Sequence, residues 1–260
     1  MNNNSEMIVL IDNSNTRTKL MFSSDGRLGE EVLILPTAEV TAEALWRLVG
    51  ERSYRGVLVS SVVPALHDEF RRAFGVKTRF LTCNSPLNFD MEYSGGATLG
   101  ADRIANAAGA VLMGRFPCVA VDMGTAVTFD VLIERDNRPC FIGGAIAPGL
   151  SMMARSLTQK TAQLPEIDCS LMGAAIGKNT VEAMQAGCLR GFVGLVEGML
   201  QAIAAELGCK PFVVATGGDA SLIANYSAFI DKVVPCLTFR GLNLISELMF
   251  LERSTKKSRT

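Results

Sequence analysis

Two loops of this chain place a carboxylate and small hydroxyl-bearing residues directly after an apolar strand. The first follows residues 7–11 and reads Asp12-Asn-Ser-Asn-Thr16, and the second follows residues 118–121 and reads Asp122-Met-Gly-Thr-Ala126. In both places the chain then continues as a second predicted strand. Backbone N–H groups of such turns can approach a phosphate closely, and a carboxylate at a strand end can bind a cation. Two related loops therefore predict a nucleotide clamp.

The first loop offers several contacts of this kind. Asp12 can hold Mg²⁺ directly or through water, Asn15 and Thr16 can donate to phosphate oxygens, and Lys19 adds positive charge on the returning strand. A run of Asx and Ser residues is equally typical of an ordinary turn, because these side chains satisfy local backbone groups. Since the second loop repeats the strand, acid, turn and returning strand, phosphate binding is the better explanation.

Two glycine-containing segments could complete such a site. In Val213-Val-Ala-Thr-Gly-Gly-Asp-Ala220, Gly217 and Gly218 stand just beyond a predicted strand, where a nucleoside could lie against bare backbone. An ordinary strand-to-helix turn is the alternative. The segment Gly143-Gly-Ala-Ile-Ala-Pro-Gly-Leu150 predicts a rigid turn, which serves either the fold or a pocket wall.

The predicted elements that position these loops alternate between strands and helices. Short runs rich in Val and Ile predict strands at residues 7–11, 32–35, 56–60, 118–121, 127–133 and 212–215. Periodic apolar patterns predict helices between them, the longest at residues 179–207. Four glycines on that helix recur at spacings of four, three and four, namely Gly187, Gly191, Gly194 and Gly198. A row without side chains admits close helix packing, either within the chain or in a dimer.

Length and composition favour an α/β protein of two related halves with a small-molecule partner. A chain of 260 residues can form two moderate cores, and we place the boundary near Pro117, giving domains of residues 1–116 and 117–260. The formal net charge of -1 provides no overall field for nucleic acid or an anionic membrane. Seven cysteines without a C-x-x-C pair and a single histidine leave little for a zinc site. We expect a cytoplasmic protein, because no signal peptide or uninterrupted spanning run is evident.

The three elements in this order resemble the two phosphate loops and the adenosine loop of the actin, Hsp70 and sugar kinase superfamily. The closer resemblance is to type III pantothenate kinases, because four further motifs follow that family's order: Gly100-Ala-Asp-Arg103, Gly143-Gly-Ala-Ile-Ala-Pro-Gly-Leu150, Thr161-Ala-Gln-Leu-Pro165 and Thr216-Gly-Gly-Asp-Ala220. The resemblance implies an α/β fold of two ribonuclease-H-like domains, with mixed sheets flanked by helices. It also implies ATP-dependent phosphorylation of pantothenate, the first step of coenzyme A biosynthesis.

The resemblance assigns roles residue by residue. Asp102 is the catalytic residue, Asp122 binds a monovalent cation such as K⁺ or NH₄⁺, and Asp12 binds Mg²⁺ through the phosphates. The residues implied for ATP are Asp12, Asn13, Ser14, Asn15, Thr16, Arg17, Thr18, Lys19, Thr125, Gly217 and Gly218. Those implied for pantothenate are Tyr93, Gly100, Ala101, Asp102, Arg103 and Thr180, of which Thr180 would reach the substrate from the partner subunit of a homodimer.

The chemistry of the Gly100-Ala-Asp-Arg103 motif is consistent with that assignment. Asp102 can accept a proton from an attacking hydroxyl, and the Arg103 guanidinium can pair with a substrate carboxylate. Pantothenate carries both groups. Taken without the other motifs, the same residues would be a helix N-terminus with a local charge pair.

One position departs from the family pattern. Ser14 stands where the first loop usually has glycine. If that position requires a positive φ, serine costs about 1 kcal/mol, and its Cβ crowds the approach of phosphate. The sequence therefore predicts weaker nucleotide binding with activity retained.

Two other functions remain open on the sequence. A non-catalytic regulator resembling the Bvg accessory factors would belong to the same sequence family, although such a protein could lose Asp102 or Arg103 freely. A kinase of another small hydroxyl compound would keep the ATP clamp and change the acceptor. Arg103 favours pantothenate over a sugar as the acceptor, because a neutral sugar gives its guanidinium no carboxylate to bind. Nucleic-acid binding measured at two salt concentrations would identify a regulator that acts on DNA.

Overall fold

The computed structural model describes residues 7–159 and 164–256, which form a mixed α/β fold. The strands are β1 (Ile8–Asn13), β2 (Arg17–Ser24), β3 (Arg27–Leu28), β4 (Leu33–Pro36), β5 (Gly56–Ser61), β6 (Thr78–Phe80), β7 (Asp90–Met91), β8 (Cys118–Met123), β9 (Ala126–Arg135), β10 (Arg138–Pro148), β11 (Phe212–Thr216) and β12 (Lys232–Val233). The helices are α1 (Ala42–Val49), α2 (His67–Phe74), α3 (Ala101–Val111), α4 (Leu150–Gln159), α5 (Thr180–Gln185), α6 (Gly191–Leu207), α7 (Ala220–Ala224) and α8 (Leu237–Lys256).

The described chain divides into two compact units. Unit 1 contains residues 7–114, 137–141 and 236–256, and unit 2 contains residues 115–136, 142–159 and 164–235. The chain first passes from unit 1 to unit 2 after Gly114, two residues before the predicted boundary after residue 116. The predicted second domain, however, included residues 137–141 and the C-terminal helix, and both belong to unit 1. The helix does so because α8 packs against α3, β1 and β5.

Unit 1 is built on a six-stranded sheet with the path β3-β2-β1-β5-β6, and β4 pairs with β2. β1 and β2 form an antiparallel hairpin, whereas β5 runs parallel to β1 and to β6. Alternate residues of β1 and β5 face a core that α1 and α2 cover, and this core includes Val9, Ile11, Val57 and Val59. Period-two alternation places the remaining residues of both strands on the opposite face.

Helices α3 and α8 approach each other closely in unit 1. A Cβ at Gly241 would overlap the carbonyl oxygen of Ala105, and one at Gly109 would lie 2.5 Å from the Leu237 carbonyl oxygen. Thr238 and Asn106 add a buried side-chain hydrogen bond of 2.8 Å. Glycine at these two positions therefore permits backbone-to-backbone packing that any larger residue would prevent.

Unit 2 contains the strands β12-β11-β8-β9-β10 in that order. β8 and β9 form an antiparallel hairpin, and β11 lies parallel to β8 and β12. The apolar face of this sheet packs against the buried residues of α6, which are Phe192, Val193, Val196 and Leu200. The first residues of β10 belong to unit 1, where Cys140 and Phe141 pair with β7.

All six predicted strands are present, and the mixed sheets flanked by helices confirm the predicted fold class. The expected rigid turn at residues 143–150 is wrong for most of its length, because β10 continues to Pro148 and only Gly149 separates it from α4. The Thr161-Ala-Gln-Leu-Pro165 motif begins outside the described residues, which resume at Leu164.

The predicted long helix is present as α5 and α6 joined by a π-helical turn, Ala186–Arg190. Its glycine row does not receive another helix from the described part of the chain. A Cβ at Gly187, Gly194 or Gly198 would meet no described atom within 4 Å, and one at Gly191 would meet only the Met153 methyl at 3.9 Å. Of the two possibilities that the sequence left open, close packing of another helix on this row is therefore not found among the described residues.

The same helix passes a test of membrane-spanning length and composition, although charged residues and glycines interrupt it as the sequence predicts. Among the described residues, Thr180–Leu207 is long and apolar enough to cross a bilayer by length and composition alone, and 33% of its apolar window is buried. A core helix of a soluble protein passes the same test. Because one side of α6 packs into the core of unit 2, the helix is weak evidence for a membrane span.

Candidate functional site

The first loop is the tight turn of the β1–β2 hairpin. Asp12 pairs with Lys19 across the two strands, and the Ser14 N–H donates to the Arg17 carbonyl at 3.1 Å to close the turn. Asn15, Thr16 and Arg17 are exposed at its tip. Asp12 is 9% exposed, at the carboxyl end of a buried strand. The predicted magnesium ligand Asp12 and the predicted phosphate-binding cation Lys19 are therefore neighbours on paired strands.

Asn13 and Thr18 lie between these groups but face the other side of the sheet. The Asn13 amide donates to Thr18 Oγ1 at 2.8 Å and accepts from Ser61 Oγ at 2.7 Å. Thr18 Oγ1 lies 3.2 Å from Thr37 Oγ1. Because both side chains have partners inside unit 1, they hold the hairpin in shape, whereas Asn15, Thr16 and Arg17 are exposed to solvent at the tip.

Ser14 does not carry the strain that its replacement of glycine suggested. Four non-glycine residues of the described chain have a positive φ, and Ser14 is not among them. Its hydroxyl donates to the Arg17 carbonyl at 2.9 Å, so it stabilises the turn and is not turned outward as a phosphate donor. The expected cost of a left-handed serine therefore does not apply, and crowding by its Cβ remains the only reason to expect weaker nucleotide binding.

Asp102 stands in the first turn of α3, after Gly100 at the N-cap and Ala101 at the first helical position. Its Oδ1 accepts a hydrogen bond from the Arg103 backbone N–H at 2.8 Å. A Cβ at Gly100 would overlap this same oxygen, so glycine leaves room for the carboxylate. Burial raises the pKa of Asp102, and the Arg103 N–H and guanidinium oppose the rise.

Arg103 and Tyr93 both contact the ring of Phe141, a residue that the sequence did not indicate as part of the site. The guanidinium lies 5.8 Å from the centre of the Phe141 ring, and the Tyr93 ring meets the same ring edge-on at 5.7 Å. Phe141 is fully buried, and its carbonyl accepts from the Glu92 N–H at 2.9 Å. Two residues predicted to bind one substrate therefore contact one side chain. Only the pairing of β7 with β10 brings that side chain to them.

Unit 2 brings three of the predicted motifs together around its second loop. The Gly124 N–H donates to the Ala126 carbonyl at 3.0 Å to close the turn, and the Gly149 N–H donates to the Thr125 carbonyl at 3.1 Å. A Cβ at Gly217, which has a φ of +95°, would lie 2.5 Å from the Met123 carbonyl and 2.6 Å from Asp122 Oδ1. The second loop, the adenosine-loop glycine and the end of β10 are thus in direct contact.

Asp122 shares a sheet face with other polar groups. Its register partners are Thr128 in β9 and Thr216 in β11. Thr128 Oγ1 donates to Asp130 Oδ2 at 3.4 Å, and Asp130 is fully buried. Thr125 at the tip of the loop is exposed. Carboxylate and hydroxyl oxygens are suitable ligands for a hard cation.

The remaining predicted residues lie at two other places of unit 2. Thr180 is the exposed first residue of α5 and lines a cavity of about 660 Å³ together with Leu157, Met184 and Cys188. Gly218 is open, since a Cβ there would meet no described atom within 4 Å. The neighbouring Asp219 lies beside the second loop, where its N–H donates to the Met123 carbonyl at 3.2 Å, and burial raises its pKa.

The described residues do not by themselves form a cluster of metal ligands. Among residues 7–159 and 164–256, no three His, Cys, Asp or Glu side chains come together as a metal-binding group. A divalent cation at Asp12 would therefore take most of its ligands from nucleotide phosphates and water, as Mg²⁺ commonly does. Asp12 at a strand end suits that arrangement.

Solved structures with the same fold define the class. The chain superposes on a Campylobacter jejuni protein classed with the Baf family of transcriptional activators, with a TM-score of 0.63 at 22% identity, over 92% of this chain and 98% of that one. It also superposes on a ROK family glucokinase from Streptomyces griseus, with a TM-score of 0.54 at 12% identity, over 94% and 99% of the two chains. The fold is that of the actin, Hsp70 and sugar kinase class of ATPases and kinases.

Sequence comparison narrows the class to one family. The family model of type III pantothenate kinase matches residues 8–202. A type III pantothenate kinase of Akkermansia muciniphila is 45% identical over 92% of this chain and 98% of its own length. Another, from Methylacidiphilum infernorum, is 35% identical over 93% and 89%. The chain belongs to the type III pantothenate kinase family.

Proposed function

We propose that this protein transfers the γ-phosphoryl group of ATP to the primary hydroxyl of pantothenate, giving 4'-phosphopantothenate for coenzyme A biosynthesis. The observation that carries the proposal is the arrangement of Asp102 and Arg103 at the start of α3, in a chain of this family. One residue provides a carboxylate of raised pKa, and the next provides a cation supported by Phe141. A proton acceptor beside a carboxylate clamp matches the two polar ends of pantothenate.

In the proposed reaction, Asp102 receives the proton of the attacking hydroxyl while Arg103 holds the substrate carboxylate and Tyr93 lines the site. The raised pKa of Asp102 makes it a better proton acceptor than an exposed aspartate. Gly100 and Ala101 bring the substrate against backbone at the N-terminus of α3. Phosphoryl transfer needs little covalent help from protein, so positioning and charge supply most of the rate.

Each hairpin loop by itself would offer contacts to ATP phosphates. Asn15, Thr16 and Arg17 are exposed to contact them in unit 1, and Thr125 is exposed in unit 2. Gly217 and Gly218 offer bare backbone for the nucleoside. Mg²⁺, when bound, would neutralise charge on the phosphates. Asp12 and Lys19 would hold its complex with ATP in place, and Asp122 would hold K⁺ or NH₄⁺.

An assay of the purified protein with pantothenate, ATP, Mg²⁺ and K⁺ tests the proposal. We expect phosphopantothenate to form, and we expect Asp102→Asn to lower turnover by about 100-fold or more, the usual scale for a positioned proton acceptor. Arg103→Ala should raise the KM for pantothenate and leave the KM for ATP unchanged. Near-wild-type turnover in Asp102→Asn, or equal losses for both ligands in Arg103→Ala, would contradict the assigned roles.

Two alternatives predict different results in the same preparation. A kinase of another acceptor would hydrolyse or transfer from ATP but not to pantothenate, and a screen of small hydroxyl compounds would identify the acceptor. A regulator that acts on nucleic acid would bind DNA with an affinity that falls steeply as salt rises. The Arg103 guanidinium, which lies over the Phe141 ring, favours an acceptor with a carboxylate over a neutral one.

We further infer a cytoplasmic homodimer that requires neither nucleic acid nor a membrane. The glycine row, Gly187, Gly191, Gly194 and Gly198, supports the dimer, because it has no side chains and, apart from the Met153 methyl near Gly191, no neighbour from the described chain. Unit 2 also exposes large apolar side chains, namely Ile146, Met152, Leu171, Ile176 and Val181. A second copy of the chain could bury exposed apolar side chains of this kind, and Thr180 would be the residue that it contributes to the pantothenate site.

A further inference from the structure

One buried hydroxyl of unit 1 has no partner within the described chain. Ser60, in β5, is fully buried, and its Oγ makes no hydrogen bond to any described residue. Buried polar groups nearly always have a partner, so an unsatisfied hydroxyl requires a reason. The next residue provides a contrast, because Ser61 Oγ donates to Asn13 Oδ1 at 2.7 Å.

The register of the sheet shows where the Ser60 side chain lies. Ser60 pairs with Asp12 in the parallel ladder of β1 and β5, and register partners project to the same face. Val57 and Val59 belong to the core on the opposite face, which leaves Ser60 on the side covered by α3 and α8. Ser60 is therefore a lateral neighbour of Asp12 in the next strand, at about 4.8 Å between strands.

This part of the sheet leads directly to the start of α3. Ser60 and Asp12 are near the carboxyl ends of two parallel strands, where ligands of α/β folds commonly bind. Two residues beyond Ser60, the Val62 side chain would lie 3.7 Å from a Cβ at Gly100. The unsatisfied hydroxyl thus lies beside Asp12, on a strand that continues toward the Asp102 helix.

We propose that Ser60 positions the divalent cation at Asp12 by hydrogen bonding to a water of the cation's hydration shell. Two neighbouring oxygen ligands of an octahedral Mg²⁺, each about 2.1 Å from the cation, are about 3 Å apart, and a hydrogen bond of about 2.8 Å from one of them can therefore connect side chains on adjacent strands. Mg²⁺ retains several waters in nucleotide sites, so a nearby hydroxyl has a partner once the cation is present. The inference rests on the proposed function only in that ATP and a divalent cation occupy the first loop.

The test separates the effect of Ser60 on metal binding from its effect on folding. The affinity for a non-hydrolysable ATP analogue is measured by calorimetry with Mg²⁺ and again with EDTA, and thermal unfolding is followed without ligand. Ser60→Ala should reduce the Mg²⁺-dependent gain in affinity about tenfold, the scale seen for groups that orient metal ligands. It should leave the affinity in EDTA unchanged and leave Tm equal or higher, because it removes an unsatisfied buried group.

Ser61→Ala is the matched control, since its hydroxyl faces the other side and bonds Asn13. It should lower Tm and leave the ratio of the two affinities within about twofold of the wild-type ratio. Ser60→Cys keeps the shape of serine with a poor hydrogen-bonding group, and it should lose the Mg²⁺-dependent gain as Ser60→Ala does.

A lower Tm in Ser60→Ala with an unchanged Mg²⁺-dependent gain would overturn the inference and make Ser60 a structural residue. Equal losses with Mg²⁺ and with EDTA would also overturn it, because the hydroxyl would then bind the nucleotide itself. Neither result depends on the acceptor. A protein that binds the Mg²⁺–nucleotide complex through Ser60 but fails to phosphorylate pantothenate would contradict the proposed function and leave this inference intact.

Discussion

Two opposing effects act on the pKa of Asp102, and this pKa sets the pH range in which its carboxylate can accept a proton. Burial raises its pKa above the usual 3.8, while the Arg103 N–H and charge restrain the rise. A base works only when it is deprotonated, so activity should fall as pH drops through this raised pKa. We predict an acid limb of kcat/KM above pH 3.8 that Asp102→Asn abolishes together with most of the turnover. A pH profile between pH 4 and 9 measures it, and an identical limb in Asp102→Asn would assign it to another group.

Gly100 allows a second prediction at the scale of single residues. Its φ of -58° and ψ of 138° are available to alanine, so Gly100→Ala introduces no backbone strain. The new Cβ would overlap Asp102 Oδ1 and force the carboxylate to turn. We expect kcat to fall about tenfold or more with Tm nearly unchanged, because small displacements of reacting groups are costly. Unchanged kcat in a folded Gly100→Ala protein would indicate that the orientation of Asp102 is unimportant.

A control for Gly100→Ala needs another glycine that alanine can replace without strain. Gly75 is unsuitable, because its φ is +59°, and Gly173 is better matched. A Cβ at Gly173 meets no described atom within 4 Å, and the residue lacks a positive φ. Its substitution should leave Tm equal or slightly higher. Assayed beside Gly100→Ala, it separates a loss due to the Asp102 contact from the general effect of replacing a glycine.

At the scale of elements, the two glycines after β11 should respond differently to the same substitution. Gly217 has a φ of +95°, and its Cβ would meet both Met123 and Asp122, so Gly217→Ala should distort the second loop and lower Tm. Gly218 has open space around it. We predict that Gly218→Ala leaves Tm unchanged but weakens ATP binding several-fold if the nucleoside lies there. Calorimetry and thermal unfolding check both, and unchanged ATP affinity in Gly218→Ala would place the nucleoside elsewhere.

The elements that the sequence did not reveal have a common cause. Helix α8 lacks a single apolar stripe because its buried residues, including Leu237, Phe239, Leu242, Ile245 and Ser246, occupy several sides. The side of α8 that packs against α3, β1 and β5 is broad, and Thr238 and Ser246 interrupt its apolar residues, so the sequence shows no clear amphipathic period. The glycines and proline of residues 143–149 likewise suggested a turn, yet strand pairing overrode those local preferences as far as Pro148.

At the scale of the whole molecule, the glycine row makes the oligomeric state testable. Alanine at Gly194 would meet no described atom, so Gly194→Ala should stabilise the helix by about 1 kcal/mol in an isolated subunit. A larger residue would block close approach of a second copy. We predict that wild-type protein sediments as a dimer and that Gly194→Leu shifts it toward monomer without loss of helix content. A monomeric wild type would contradict the dimer proposal.

The sequence by itself determined the family and the residue types that form the site. The phosphate loops, the Gly100-Ala-Asp-Arg103 motif and the strand ends can be recognised there because each is a short contiguous run of residues. The sequence also determined which strands carry the loops. Tertiary structure decided which groups support them. Phe141 meets Tyr93 and Arg103, and Ser60 lies beside Asp12, only because strands distant in the chain are paired in a particular register. Register depends on long-range packing, which no local run of residues encodes.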